Sequence, residues 1–148
     1  MIVLVHREAV RGVDDSAPFA KAVHVPDSAT LAEFLKMQSV REYLPAVDGG
    51  RATWVCQGDV PLAVVTQEYR EPWLAPVANQ PLILLAGTLP NPHFSFRYLS
   101  QELPEEAFKS IGGDPVRLPR EAWEPSAEIT WTDALRQLLS PRSRLRMR

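Results

Sequence analysis

The three histidines of the sequence, His6, His24 and His93, are the side chains best suited to bind a metal or transfer protons. Imidazole nitrogen is a common zinc ligand, and three such ligands can leave a position open for a reactive water. Their separations match no HxH or HExxH spacing, so the sequence predicts no metal site and no cofactor. His24 and His93 could still meet in the fold and act with an acid from a facing strand.

Cys56 is the single cysteine, which excludes a disulfide within the chain. A thiol becomes a nucleophile when a base within hydrogen-bond reach takes its proton. Cys56 follows Thr53 and Val55 in an apolar, strand-like segment, where a lone cysteine is normally a small buried side chain. We therefore expect a structural role for it.

The remaining polar motifs also favour structural roles. Asp48-Gly49-Gly50 lacks the frame of a phosphate-binding loop and precedes a strand rather than a helix. Asp14-Asp15 lies in a polar loop, and Glu105-Glu106 falls in a first helical turn, where the helix dipole stabilises negative charge. No catalytic residue is assigned from these motifs.

Two patterns suggest contact with nucleic acid. Phe94, Phe96 and Tyr98 alternate around Arg97, as on a sheet that stacks bases, but such a platform needs basic surroundings and core packing is favoured. Residues 141–148 carry four arginines and no acid, a set that could pair with phosphate. Because chain ends are usually loosely ordered, we expect a flexible basic tail there, the alternative being a contact of this tail with nucleic acid or an anionic partner surface. No membrane partner is expected.

The formal charge of the whole chain is −2, but residues 1–140 are more acidic than this value suggests. Without the four arginines of 141–148, the chain has twelve basic and eighteen acidic residues. Such an acidic body favours solubility and attraction to a basic partner. The 148 residues suit one domain, which we place at 1–140. No apolar run approaches the ~20 residues of a membrane helix, and no signal-peptide pattern opens the sequence, so we expect a cytoplasmic protein.

One segment is typical of a protein interface. Residues 68–76, EYREPWLAP, place two aromatic side chains in a proline-stiffened connection. Rigid aromatics anchor interfaces because they bury area at low entropic cost. We predict partner contacts for Glu68, Tyr69, Glu71 and Trp73, the alternative being that Trp73 folds back over the edge of the sheet.

The first half of the chain predicts two hairpins around a helix. Apolar and alternating segments indicate strands over 2–6 and 20–25, and again over 52–56 and 60–66. Between the pairs, Thr30 and Glu33 form a capping box that starts a helix. The order strand, strand, helix, strand around 23–35 resembles the start of a β-grasp, or ubiquitin-like, arrangement.

The second half predicts a third hairpin and two helices. Residues 82–86 form a strand-length apolar block, and 93–99 alternate as a half-exposed strand does. A helix is expected over 103–111, ahead of Gly112-Gly113, and a last one begins at Thr130. Together the elements predict an α+β fold with a mostly antiparallel sheet built from hairpins, one helix after the second strand and two short C-terminal helices.

Two functions are consistent with these observations. The first is a non-enzymatic protein-binding module, in its most specific form an inhibitor or immunity-type protein that covers a basic partner, as in bacterial toxin systems. The second is a small enzyme or ligand-binding domain with a site assembled from scattered residues such as His24 and His93. The absence of any catalytic motif favours the first.

Overall fold

The computed structural model describes residues 1–10, 19–47, 50–87, 91–100, 102–116 and 118–122. The described strands are β1 (Ile2–Arg7), β2 (Ala20–His24), β3 (Thr53–Gln57), β4 (Pro61–Thr66), β5 (Trp73–Leu74) and β6 (His93–Tyr98). The described helices are α1 (Leu31–Lys36), α2 (Gln38–Tyr43), α3 (Leu82–Leu85) and α4 (Pro104–Ser110), with a 3-10 helix over Pro76–Ala78. The predicted α+β class is confirmed. None of the helices in these ranges is long and apolar enough to cross a membrane.

All six strands form one sheet in the order β2-β1-β6-β3-β4-β5. β1 and β6 run parallel, and every other neighbouring pair is antiparallel. The two hairpins predicted in the first half, β1–β2 and β3–β4, are confirmed. The element order on which the β-grasp resemblance rests is also present, with α1 and α2 between the hairpins.

The third hairpin is a wrong prediction. The block 82–86 contains α3 (Leu82–Leu85) instead of a strand, and β6 pairs with β1 on one side and β3 on the other. Leu82 and Leu85 are buried while the two residues between them are exposed, which is the spacing of one helical turn. The sequence does not show this helical spacing, because all four residues of Leu82–Leu85 are apolar and hydrophobic periodicity cannot distinguish a strand from a helix in such a run.

The inner face of the sheet packs against α1 and α2. Phe94 and Phe96 of β6 lie at its centre, and the Phe34 ring of α1 is 5.4 Å from that of Phe94. Helix α1 begins where predicted, since the Thr30 hydroxyl accepts a hydrogen bond of 3.2 Å from the Glu33 amide. Its buried side chains, Leu31, Phe34 and Leu35, form the predicted stripe.

The outer face carries a second, smaller core. Helix α4 packs over β3 and β4, where the buried side chains are Val55, Val64, Trp73, Ala107 and Phe108. The helix ends before Gly112, whose φ of +86° is a conformation that glycine adopts without strain. The helix predicted from Thr130 and the tail 141–148 lie outside the described residues.

β2 is the edge strand on one side of the sheet. Of the β2 side chains that face the helices, only Lys21 is polar. That residue lies opposite the buried Val5 of β1, so it points toward the helices. Its Nζ donates to the Ser39 carbonyl at 3.4 Å. At the other end of the sheet, β5 has only two residues, so that edge is short.

We expect Thr30→Ala to lower the free energy of unfolding by about 1 kcal/mol, because the Glu33 amide loses its acceptor. Urea unfolding followed by circular dichroism measures this change. Thr30→Ser is the matched control, since it keeps the hydroxyl. Equal losses for both variants would show that the threonine methyl, and not the cap, is responsible.

Candidate functional site

Trp73, the predicted interface anchor, is a core residue, with 1% of its surface exposed. Its ring stacks on Tyr69 with centroids 5.4 Å apart and meets the edge of Phe108 at 5.9 Å. Its Nε1 donates to the Pro119 carbonyl at 2.9 Å. The aromatic pair thus joins the β4–β5 connection to α4 and to the segment after it.

The acidic members of the predicted interface also contact their own chain. Glu68 forms an ion pair of 3.7 Å with Arg51, and Glu71 forms one of 3.3 Å with Lys36. Exposed pairs of this kind contribute less than about 1 kcal/mol each. The proline-stiffened connection of residues 68–76 contains β5 and leads into the 3-10 helix. Partner contact by Glu68, Tyr69, Glu71 and Trp73 stays a prediction.

The histidines lie on the outer face but do not form one site. His24 is opposite Ile2 and His93 is opposite Leu4, so β1 separates the two imidazoles. His6 and His93 line one shallow depression of about 380 Å³, and His24 does not. No group of three or more His, Cys, Asp or Glu side chains able to hold a metal occurs within the described ranges.

Cys56 is fully buried on the inner face, opposite Ala63 of β4 and Phe96 of β6. Burial raises the pKa of the thiol, because the apolar surroundings disfavour the charged thiolate. This placement fits the structural role predicted from the sequence.

A cavity of about 200 Å³ lies between α2 and the β3–β4 hairpin. Leu44, Pro45, Trp54 and Val65 supply apolar walls. The guanidinium of Arg41 lies beside them and donates to the carbonyls of Thr66 and Tyr69, at 2.8 and 3.3 Å. Burial lowers the pKa of Arg41 to about 10, which leaves it charged at neutral pH. The cavity suits a small, mostly apolar molecule.

Exposed apolar side chains lie on α3 and on the β3–β4 turn, two elements that meet where Gly58 approaches Leu85. Ile83 and Leu84 expose 54% and 68% of their surfaces, and Val60 of the turn is also exposed. We call these three residues, with the exposed Asp59, the α3 tip. A groove of about 680 Å³ borders Pro81 and runs toward the start of α1.

The α3 tip packs closely against the rest of the fold on two sides. A Cβ atom at Gly58 would lie 2.1 Å from the Leu85 carbonyl oxygen, so only glycine permits this approach. On its other side α3 buries Leu82 and Leu85 in the main core. Sequence reasoning missed this surface, because the run Leu82–Leu85 was interpreted as a buried strand.

A second apolar surface lies on the outer face of the β1–β2 hairpin. Ile2 and Leu4 expose 49% and 41% of their surfaces, beside exposed Ala20 and Ala22 of β2. Paired residues of neighbouring strands share a face, and Leu4 is opposite Ala22. We call these four residues the outer patch. Single exposed aliphatic side chains are ordinary, whereas large contiguous apolar patches are typical of contact surfaces.

No protein-family model matches the sequence, no curated protein matches it and no solved structure matches the fold.

We expect Trp73→Ala to lower the free energy of unfolding by about 3 kcal/mol or more, because it removes a buried indole and its contacts with Tyr69 and Phe108. Trp73→Phe is the control and should cost less, since it keeps an aromatic ring and loses the hydrogen bond to Pro119. Urea unfolding measures both values. A loss under about 1 kcal/mol for Trp73→Ala would contradict the core role.

The Cys56 thiol should not react with a disulfide reagent in the folded protein at about pH 8, because it is buried and its pKa is raised. It should react at once in guanidinium chloride. Val116→Cys supplies an exposed thiol for comparison, since Val116 is 68% exposed. Equal rates for the two thiols in folded protein would disprove the burial of Cys56.

Proposed function

We propose that the protein is a non-enzymatic binding module that engages another protein, of net basic charge, through the α3 tip. The observation that supports this most is the adjacency of Ile83 and Leu84, which expose their side chains on a helix whose opposite side is anchored in the core. Burying such a side chain contributes about 1.5 to 3 kcal/mol, so two suffice for the centre of an interface.

The packing of α3 against the rest of the protein favours a binding function over a catalytic one. Its aliphatic side chains have no group that transfers protons or electrons. The close approach of Gly58 to Leu85 fixes the backbone of α3 before any partner arrives, so little order is lost on binding. Pre-ordered apolar side chains are the usual source of affinity in protein interfaces.

The charge of the chain supports a basic partner. The acidic body attracts a positive surface at long range and speeds encounter. Asp59 lies beside the exposed Val60 at the α3 tip, so a carboxylate is available at the rim of the contact. An inhibitor or immunity-type protein that covers a basic enzyme is the most specific form of this proposal.

We expect Leu84→Asp to weaken capture of the partner about thirtyfold, a loss of ~2 kcal/mol, because it places a carboxylate where an apolar anchor is buried. Tagged full-length protein is exposed to native-host lysate at low and high salt, and bound proteins are identified by mass spectrometry. Val116→Asp is the matched control, because Val116 and Leu84 are both 68% exposed and belong to different surfaces.

A basic protein that is lost with Leu84→Asp, kept with Val116→Asp and weakened by salt supports the proposal. A partner that both variants retain excludes the α3 tip as its binding surface. A partner that is acidic excludes the charge complementarity. Unfolding curves of both variants ensure that the comparison is made on folded protein.

A further inference from the structure

The cavity between α2 and the β3–β4 hairpin has the size of one ring. Its apolar walls include Leu44, Pro45 and Val65. Trp54 is held in the wall by its neighbours, since its ring lies 4.8 Å from that of Tyr98 and only 1% of its surface is exposed. Apolar cavities of about 150 Å³ hold one benzene molecule. The volume of about 200 Å³ therefore accommodates a ring with a small substituent.

Arg41 places a positive charge at the wall of this cavity. Its Nη2 donates to the carbonyls of Thr66 and Tyr69, at 2.8 and 3.3 Å, which joins α2 to the end of β4. These carbonyls are neutral, so they position the guanidinium without neutralising it. The pKa of Arg41 is lowered by burial, which shows that its surroundings, taken together, disfavour the charge. An anion bound beside it would relieve that cost.

The wall beyond α2 is held in place by the side chain of Gln67. Its Oε1 accepts from the amides of Val47 and Ala52, at 3.0 and 3.4 Å, and its Nε2 donates to the Val47 carbonyl at 3.4 Å. The segment that follows α2 is thereby fastened to the end of β4. A site whose walls are fixed before binding loses little order when a ligand enters.

Glu42 is the one acidic side chain among the described residues that line the cavity. It is exposed, and its carboxylate accepts a hydrogen bond of 2.6 Å from Nε2 of Gln38. Solvent and salt screen exposed charges more than buried ones. The buried cation of Arg41 therefore acts on a bound ligand more strongly than the carboxylate of Glu42 does.

We propose that this cavity binds a small carboxylic acid with an apolar body of about one ring, the body lying against Trp54 and the carboxylate directed toward Arg41. Guanidinium is the side-chain group that pairs best with carboxylate, and the apolar walls exclude larger polar molecules by size and by chemistry. The residues of the α3 tip do not line the cavity, so this site does not depend on the proposed function.

Benzoate and its neutral isostere benzamide are the probes, titrated into isotope-labelled full-length protein at about pH 7, where a carboxylic acid is ionised. We expect benzoate to shift the indole N–H signal of Trp54 in the nuclear magnetic resonance spectrum and to bind about tenfold more tightly than benzamide, because only benzoate carries a charge that Arg41 attracts. Trp54→Phe identifies the signal among the four indoles.

Two neighbouring substitutions in α2 should change the affinity for benzoate in opposite directions. Arg41→Gln should weaken benzoate binding about tenfold, to the level of benzamide, because the cation is lost. Glu42→Gln should strengthen it about twofold, because an exposed negative charge is removed. Neither variant should change the affinity for benzamide by as much. Unfolding curves ensure that each titration is made on folded protein.

Ala46→Leu is a third variant, which is informative if Arg41→Gln fails to fold. Ala46 is exposed and lines the cavity, so a larger side chain there should obstruct entry and weaken the binding of both probes. Because Ala46 has no polar side chain, this substitution breaks none of the hydrogen bonds that Arg41 and Gln67 make.

The proposal fails on any of three results. Equal affinities for benzoate and benzamide show that the charge of Arg41 does not select the ligand. A Trp54 signal that neither probe shifts at millimolar concentration shows that the cavity takes no ligand of this class. Benzoate binding that keeps its full strength in Arg41→Gln or in Ala46→Leu places the anion at another site.

Discussion

The insertion of β6 between β1 and β3 is the constraint on which the rest of the structure depends. The two hairpins are each formed by residues close in sequence, but β6 alone joins them into one sheet. Its parallel register sets His93 beside Leu4, and its antiparallel register sets Phe96 beside Cys56. Pairing of this kind joins residues far apart in sequence and carries a large loop-closure cost. The aromatic side chains of β6 offset that cost by filling the centre of the inner core.

This central strand also explains why the two faces of the sheet differ. The inner face is covered by α1 and α2, which the chain places there between the hairpins. Within the described ranges, the outer face over β3 and β4 is covered by α4 and the segment after it, which follow β6, together with Tyr69. Trp73 belongs to that later layer, because its indole is enclosed only when Phe108 and Pro119 have packed against it. The edge strand β5 is therefore stabilised by residues from the far end of the described chain.

Local features of the fold were predictable from the sequence, and features that depend on distant residues were not. The hairpins, the Thr30 cap and the helix before Gly112 follow from turn residues, capping chemistry and alternation within about ten positions. Whether Leu82–Leu85 forms a strand or a helix was not predictable, because a uniformly apolar run fits either one. The outcome depends on the pairing of β6, which already has β1 and β3 as its neighbours. The sequence left Trp73 open between an interface role and a cover over the edge of the sheet, because Phe108 and Pro119, which help to enclose it, lie more than thirty positions away.

Lys21 has a consequence for the behaviour of the protein in concentrated solution. A foreign strand that added to β2 would bring its own inner-face side chains beside the ammonium group of Lys21 and remove part of its hydration. Desolvating that charge is costly, so the exposed backbone of β2 is a poor template for growth of the sheet from molecule to molecule. The chain can therefore display aliphatic side chains on the outer side of this hairpin while the hairpin edge itself resists polymerisation.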